Sequence, residues 1–129
     1  YRSHFRPSAV LDAPHAMAAF NIIAADTDAE AEFLASSLMQ SFVALRNGNP
    51  RQLPPPVEGY VASLPPHFAS ALNDVLSASA IGAPDTVTSA VKAFQARTQA
   101  DEIIVACSVF DHAKRKRSLE ITAEVFARL

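Results

Sequence analysis

Two runs of apolar residues, Ala16 to Ala25 and Ile103 to about Val109, stand out in the hydrophobic pattern of the chain. Neither run alternates between apolar and polar positions, which is typical of a strand that is covered on both faces in a parallel sheet. Each run is followed by a segment with apolar residues at helical spacing. Two such strand–helix units predict an α/β fold with two parallel strands and flanking helices.

The segment after the first run predicts a long amphipathic helix. Thr27 to Glu30 has the sequence of a capping box, in which the first and fourth side chains each bond a backbone amide of the other residue. Gly48 suits the left-handed conformation that often closes a helix. Between these signals the apolar residues recur at helical spacing, at Leu34, Leu38, Phe42 and Leu45.

A proline-rich segment covers residues 49–66 and contains six of the nine prolines. Proline cannot continue a helix or sit in a central strand, so this segment predicts an ordered excursion across a surface. A ligand for an SH3-type domain is the alternative interpretation. Helical spacing resumes over residues 66–79, and again from Gly82 with Val87, Val91 and Phe94 on one face.

The last segment, His112 to Leu129, predicts a helix with Asp111 as its N-cap. Four successive cations, Lys114 to Arg117, are spread around most of its circumference and therefore predict a solvated face rather than a nucleic-acid surface. The apolar residues expected on the buried side are Leu119, Ala123 and Phe126, joined by Val125 and Leu129.

Composition narrows the classes of function. The chain has 129 residues, half of them hydrophobic, and a formal net charge of −2. This balance predicts no nucleic-acid partner, and no apolar run is long enough to predict a membrane span. The single cysteine, Cys107, lies in an apolar run and predicts a reducing, cytoplasmic compartment. Tyr1 is no natural start and two strands are too few for a separate sheet, so we expect a piece of a longer protein.

Common catalytic signatures do not occur. The glycine-rich nucleotide motifs and the G-x-S-x-G turn are missing, and the four histidines are scattered, so no metal site is predicted. Asp26 and Asp28 could act as acid and base, but helix capping explains them more simply. Cys107 is better explained as a small core residue than as a nucleophile.

Architecture indicates where a ligand would lie. In parallel α/β folds, ligands bind at the carboxyl ends of the strands, which here are the loops 25–27 and 108–112. Ser108, Phe110 and His112 are therefore candidates for the rim of a substrate pocket. A capping hydroxyl, a packed ring and a solvated imidazole explain the same three residues without a pocket.

The sequence also resembles the C-terminal third of the bacterial luciferase-like flavin-dependent monooxygenases. The resemblance rests on "HFRPSAVLDAP", "NIIAADTDAEA", "IGAPDTVTSAVKAF" and "ADEIIV" followed by "DHAKRKRSLEI", in this order along residues 1–129. It implies a C-terminal fragment of a (β/α)8 TIM barrel, with the two runs as strands seven and eight and residues 49–66 as an insertion. Ala83, where the family commonly has serine, and His15, where tyrosine is common, are departures.

The resemblance implies a function for the parent protein. It would use reduced FMN and O2 on a small organic substrate, with a flavin reductase as partner, and would form a homo-oligomer. Catalytic residues and flavin contacts would lie in the missing strands, so no cofactor-binding residue is carried over and the fragment alone would be inactive. The alternative is a non-catalytic binding or dimerisation module derived from such a barrel.

Overall fold

The computed structural model describes all 129 residues, and its elements follow the predicted strand–helix order with one strand added. The α/β class with a parallel sheet is confirmed. The strands and α-helices, in chain order, are β1 (Met17–Ala24), α1 (Asp28–Arg46), α2 (Pro66–Val75), β2 (Ser79–Gly82), α3 (Pro84–Thr98), β3 (Glu102–Ala106) and α4 (His112–Phe126). Short 3-10 turns cover Arg2–His4, Val61–Ser63 and Leu76–Ala78.

The sheet has three parallel strands in the order β2-β1-β3, so the prediction of two strands is wrong by one. β2 pairs with the carboxyl half of β1, from Asn21 to Ala24. β3 pairs with the amino half, from Met17 to Asn21. β2 lies where the sequence predicts the junction of two helices, 66–79 and from Gly82, because four residues, half of them Ala or Gly, are too few to show a strand pattern.

Helices α3 and α4 cover one face of the sheet. Phe20, Ile22 and Ala24 of β1 point to this face and form a buried cluster with side chains of the two helices. The rings of Phe20 and Phe94 are stacked with their centroids 4.2 Å apart. Because side chains alternate along a strand, Ile23 points to the opposite face, where it packs against α1.

The buried side of α4 differs from the prediction. Leu119, Ala123 and Leu129 are exposed, and only Val125 and the half-buried Phe126 face the core as expected. The buried residues include two with hydroxyl groups, which a search for apolar positions passes over: Ser118, Ile121, Thr122 and Val125.

The proline-rich segment lies against α1. The amide of Gln40 donates to the carbonyl of Pro55, and the backbone amide of Val57 donates to Ser36 Oγ at 2.7 Å. These contacts fit an ordered excursion and disfavour the SH3-ligand alternative, which requires a free segment.

Candidate functional site

Three helices begin at the carboxyl end of the sheet. α1 follows β1, α3 follows β2 and α4 follows β3, each after a short loop. Thr27 caps α1, since its side chain accepts from the backbone amide of Glu30. Asp111 caps α4 by accepting from the amide of Lys114 at 2.8 Å, as predicted. This edge therefore brings together the two loops named from the sequence.

Asp28 caps a helix other than its own. Its Oδ1 accepts the backbone amide of Ala83, the N-cap residue of α3, at 2.7 Å. The bond to Ala83 and a further one from the Thr86 hydroxyl hold the pKa of Asp28 below its ordinary value. Ala83 lacks the hydroxyl with which a serine could accept an amide in the first turn of α3, and the carboxylate of Asp28 instead accepts the amide of Ala83 itself from across the sheet edge. The sequence predicts helix capping for Asp28, and the helix concerned is α3.

Gly82 makes this arrangement possible. A Cβ on Gly82 would lie 2.6 Å from Asp28 Oδ1 and 2.5 Å from Thr86 Cγ2, which is too close for either atom. A residue with a side chain would therefore push the carboxylate away from the start of α3.

The four cations of α4 are exposed, as the sequence predicts, and two of them also pair with carboxylates at the start of α1. Lys114 forms an ion pair with Glu30, and Arg117 with Asp26 at 2.8 Å. Both pairs join α4 to the start of α1, and both raise the pKa of the cation. Glu30 binds Lys114 rather than the amide of Thr27, so only one half of the predicted capping box forms. Asp26 is likewise an ion-pair partner rather than a cap.

Ser118 lies at the carboxyl end of the sheet and is not singled out by the sequence. It is fully buried, and its Oγ accepts the backbone amide of Ala24 at 2.8 Å. Pairing with β3 ends at Asn21, so the hydroxyl supplies an acceptor where no strand carbonyl is available. The two residues are 94 positions apart, and the sequence signal for the contact is a serine that lies three and seven positions before Ile121 and Val125 on the same helix face.

Cys107 also contacts Ser118, with its thiol donating to the hydroxyl at 3.4 Å. Burial raises the pKa of the Cys107 thiol above its ordinary value. A thiol that stays protonated is a poor nucleophile, so the structure supports its interpretation as a packing residue.

The three candidates for the pocket rim lie between β3 and the start of α4, but their side chains do not bond one another. Ser108 is half-buried, Phe110 is 51% exposed, and His112 is exposed at the start of α4. His112 Nδ1 lies 2.9 Å from a guanidinium nitrogen of Arg115. No hydrogen bond joins any of the three to another, so their place at a substrate pocket stays a prediction.

Neither a metal-binding cluster nor a membrane-spanning helix is found in the structure. Its His, Cys, Asp and Glu side chains nowhere gather in a group of three or more that could hold a metal ion. None of its helices combines the length and the apolar character that crossing a bilayer requires.

Comparison with known proteins gives related chains but no matching family model. The chain is 45% identical over 126 residues to an uncharacterized protein, YvbT, of Bacillus subtilis. It is 42% identical over 125 residues to a luciferase-like monooxygenase of Escherichia coli. These alignments cover 98% and 97% of the chain, which spans only 38% and 37% of the two relatives.

A solved structure resembles the chain as well. The crystal structure of apo-MsnO8 superposes with a TM-score of 0.77 at 25% identity, over 98% of this chain and 39% of that one. Sequence and structure therefore agree that the chain corresponds to a part of longer proteins, and the resemblance stated from the sequence is confirmed.

Proposed function

Because this chain is related along its whole length to part of the luciferase-like monooxygenases, we propose that it is the C-terminal portion of a flavin-dependent monooxygenase. The parent would use reduced FMN and O2 on a small organic substrate. The 42% identity to a protein of that name is the observation that carries the proposal. The chain alone would be inactive, because it provides only part of a barrel.

The amino half of the sheet supports the barrel. Helices α3 and α4 cover one face throughout, whereas α1 covers only the carboxyl half of the other face. On the amino half of that second face, apolar side chains are exposed: Met17 and Ala19 of β1, and Ile104 and Ala106 of β3. In a (β/α)8 barrel, helices cover the outer face and side chains of other strands fill the interior. We assign this surface, called the bare face below, to the barrel interior.

The pairing of the strands is compatible with the same interpretation. β1 and β3 are direct parallel neighbours, as strands seven and eight of a barrel would be. On the side of β1 that faces away from β3, only residues 21–24 are paired, so the amino half is available to a preceding strand. β2 would then be a short additional strand beside strand seven.

The starts of α1 and α3 are unfavourable places for a flavin phosphate. Such a phosphate would need free cations or helix amides, but Asp28 bonds the amide of Ala83 at the start of α3, and Glu30 lies in the first turn of α1. Lys114 and Arg117 are already paired with carboxylates. We therefore place the flavin contacts and the catalytic residues in the part of the parent outside this chain.

Titration of the full-length protein with FMN tests the proposal. We expect saturable binding of FMN, tighter for the reduced form when the titration is anaerobic. Failure of both oxidised and reduced FMN to bind would favour a non-catalytic module derived from such a barrel. The cytoplasmic location and the homo-oligomer stay part of the proposal, the first resting on the lone, half-buried Cys107.

The isolated 129-residue chain provides a second test. Exposed strand edges and the bare face should make it self-associate in solution. Light scattering that shows a stable monomer with cooperative thermal unfolding would contradict the assignment of the bare face to a barrel interior.

A further inference from the structure

A cavity of about 550 Å³ lies between the first turns of α1 and the chain at residues 57–62. We call it the α1 groove. Its volume is within the range of about 300–1,000 Å³ found for small-molecule sites. None of the residues of the loop 108–112 lines it, so it is separate from the predicted substrate rim.

Residues 57–62, which form one wall of the α1 groove, are hydrogen-bonded to α1. Ser36 Oγ accepts the backbone amide of Val57 at 2.7 Å and donates to the carbonyl of Phe33. Both hydrogen-bonding functions of this buried hydroxyl are therefore used within the protein. The groove owes its shape to this bond, and its ligand must be recognised by other groups.

Most of the lining is apolar or aromatic. Met39, Val61 and Ile81 contribute aliphatic surface, and the rings of Phe33 and Tyr60 also line the groove. The Phe33 side chain is 42% exposed although it is large and apolar, so its ring is available to a ligand. An apolar body would gain contact area here.

The charged groups of the lining are all negative. Glu32 and Glu58 line the groove, and neither forms an ion pair within the protein. No lysine, arginine or histidine is among the lining residues. Burial raises the pKa of Tyr60 above its ordinary value, and the nearby charge of Arg51 lowers it by a smaller amount.

We propose that the α1 groove binds a small organic cation, an amine or quaternary ammonium compound with an apolar body. Two unneutralised carboxylates attract a positive charge and repel an anion. The aromatic faces of Phe33 and Tyr60 add a cation–π attraction and the aliphatic wall takes the apolar part. The proposal stands independently of the flavin chemistry, because it uses no residue of the strand-end loops.

Isothermal titration calorimetry of the full-length protein with benzyltrimethylammonium tests this site. Benzyl alcohol and benzoate serve as neutral and anionic probes of related size. We expect saturable 1:1 binding of the cation that is at least about tenfold tighter than that of the alcohol, and weakest binding of benzoate. Equal affinity for cation and alcohol, or no saturable binding of the cation, overturns the proposal.

Variants then locate the site. The double substitution Glu32→Gln and Glu58→Gln should weaken binding of the cation at least about tenfold, and Phe33→Leu should weaken it several-fold. The matched control is Glu120→Gln with Glu124→Gln, which removes the same charge from α4 outside the groove. An equal loss in the control would show that only net charge matters and would overturn the site. Circular dichroism melting verifies that each variant is folded, and FMN titration of the same samples reports separately on the proposed enzyme.

Discussion

The two halves of β1 are stabilised in different ways. The carboxyl half, from Asn21 to Ala24, has helices on both faces, β2 on one edge and the hydroxyl of Ser118 on the other. The amino half pairs with β3 but leaves Met17 and Ala19 exposed on the bare face. β1 thus runs from a buried core at its carboxyl end to an exposed apolar surface at its amino end. The carboxyl half of β1 is therefore covered on both faces, whereas the amino half is covered on one face only.

The largest expected effect is on stability, and it differs between the two halves of β1. Ile22 is fully buried, so Ile22→Ala should lower the free energy of unfolding by about 2–5 kcal/mol. Met17 is 55% exposed, so Met17→Ala should cost less than about 0.5 kcal/mol in the isolated chain. Urea unfolding measures both. In the full-length protein the Met17 substitution should become clearly costlier, and an unchanged small cost there would contradict a barrel interior at the bare face.

Ser118→Ala comes next. The substitution removes only the hydroxyl and leaves the amide of Ala24 without an acceptor, which should cost about 1–3 kcal/mol. Ser89→Ala is the control, because its exposed hydroxyl bonds only a carbonyl of its own helix and should cost less than about 0.5 kcal/mol. Equal costs for the two variants in urea unfolding would show that the hydroxyl of Ser118 has no special part at the strand end.

Asp28 gives this end of the sheet a pH dependence. Its pKa is lowered in the folded protein, so it contributes stability above the unfolded value of 3.8, and this contribution is lost as the pH falls through the folded value. Asp28→Asn should therefore be less stable than the wild type at pH 6, with the difference narrowing toward pH 3. Thermal unfolding across that range measures it. A difference that is constant with pH would mean that the charge is irrelevant to the cap on α3.

The smallest effect concerns the ion pairs between α4 and α1. Arg117→Met removes the contact with Asp26, but both side chains are substantially exposed and exposed pairs contribute little. We expect a small decrease in melting temperature that disappears in 1 M NaCl, because salt screens exposed charges. A large decrease that persists in high salt would show that Arg117 packs rather than pairs.

Local signals in the sequence predicted the regular elements well. The strand predicted at residues 16–25 is observed at Met17–Ala24, and α1 begins directly after its predicted cap, Thr27. These features depend on neighbouring residues, since burial pattern and capping are decided within a few positions. β2 was missed because four residues carry too little pattern, and its place in the sheet depends on pairing with a strand more than fifty residues earlier.

The site was predicted only in outline. The sequence placed a functional edge at the loops 25–27 and 108–112, because parallel strands end together. It did not place Ser118 against Ala24, Asp28 against Ala83, or Arg117 against Asp26, since each pair is far apart in the chain. The α1 groove was also beyond prediction, because it forms only where the proline-rich segment folds back on α1.

The sequence by itself determined the strand–helix order, the caps of α1 and α4 and the relationship to luciferase-like proteins, because these properties are carried by residue types and short spacings. The tertiary structure alone decided which carboxylates meet cations, which hydroxyl completes the end of β1 and which apolar side chains remain bare. The physical reason is that hydrogen bonds, ion pairs and burial depend on distances in space, and chain folding brings together groups that sequence spacing keeps apart.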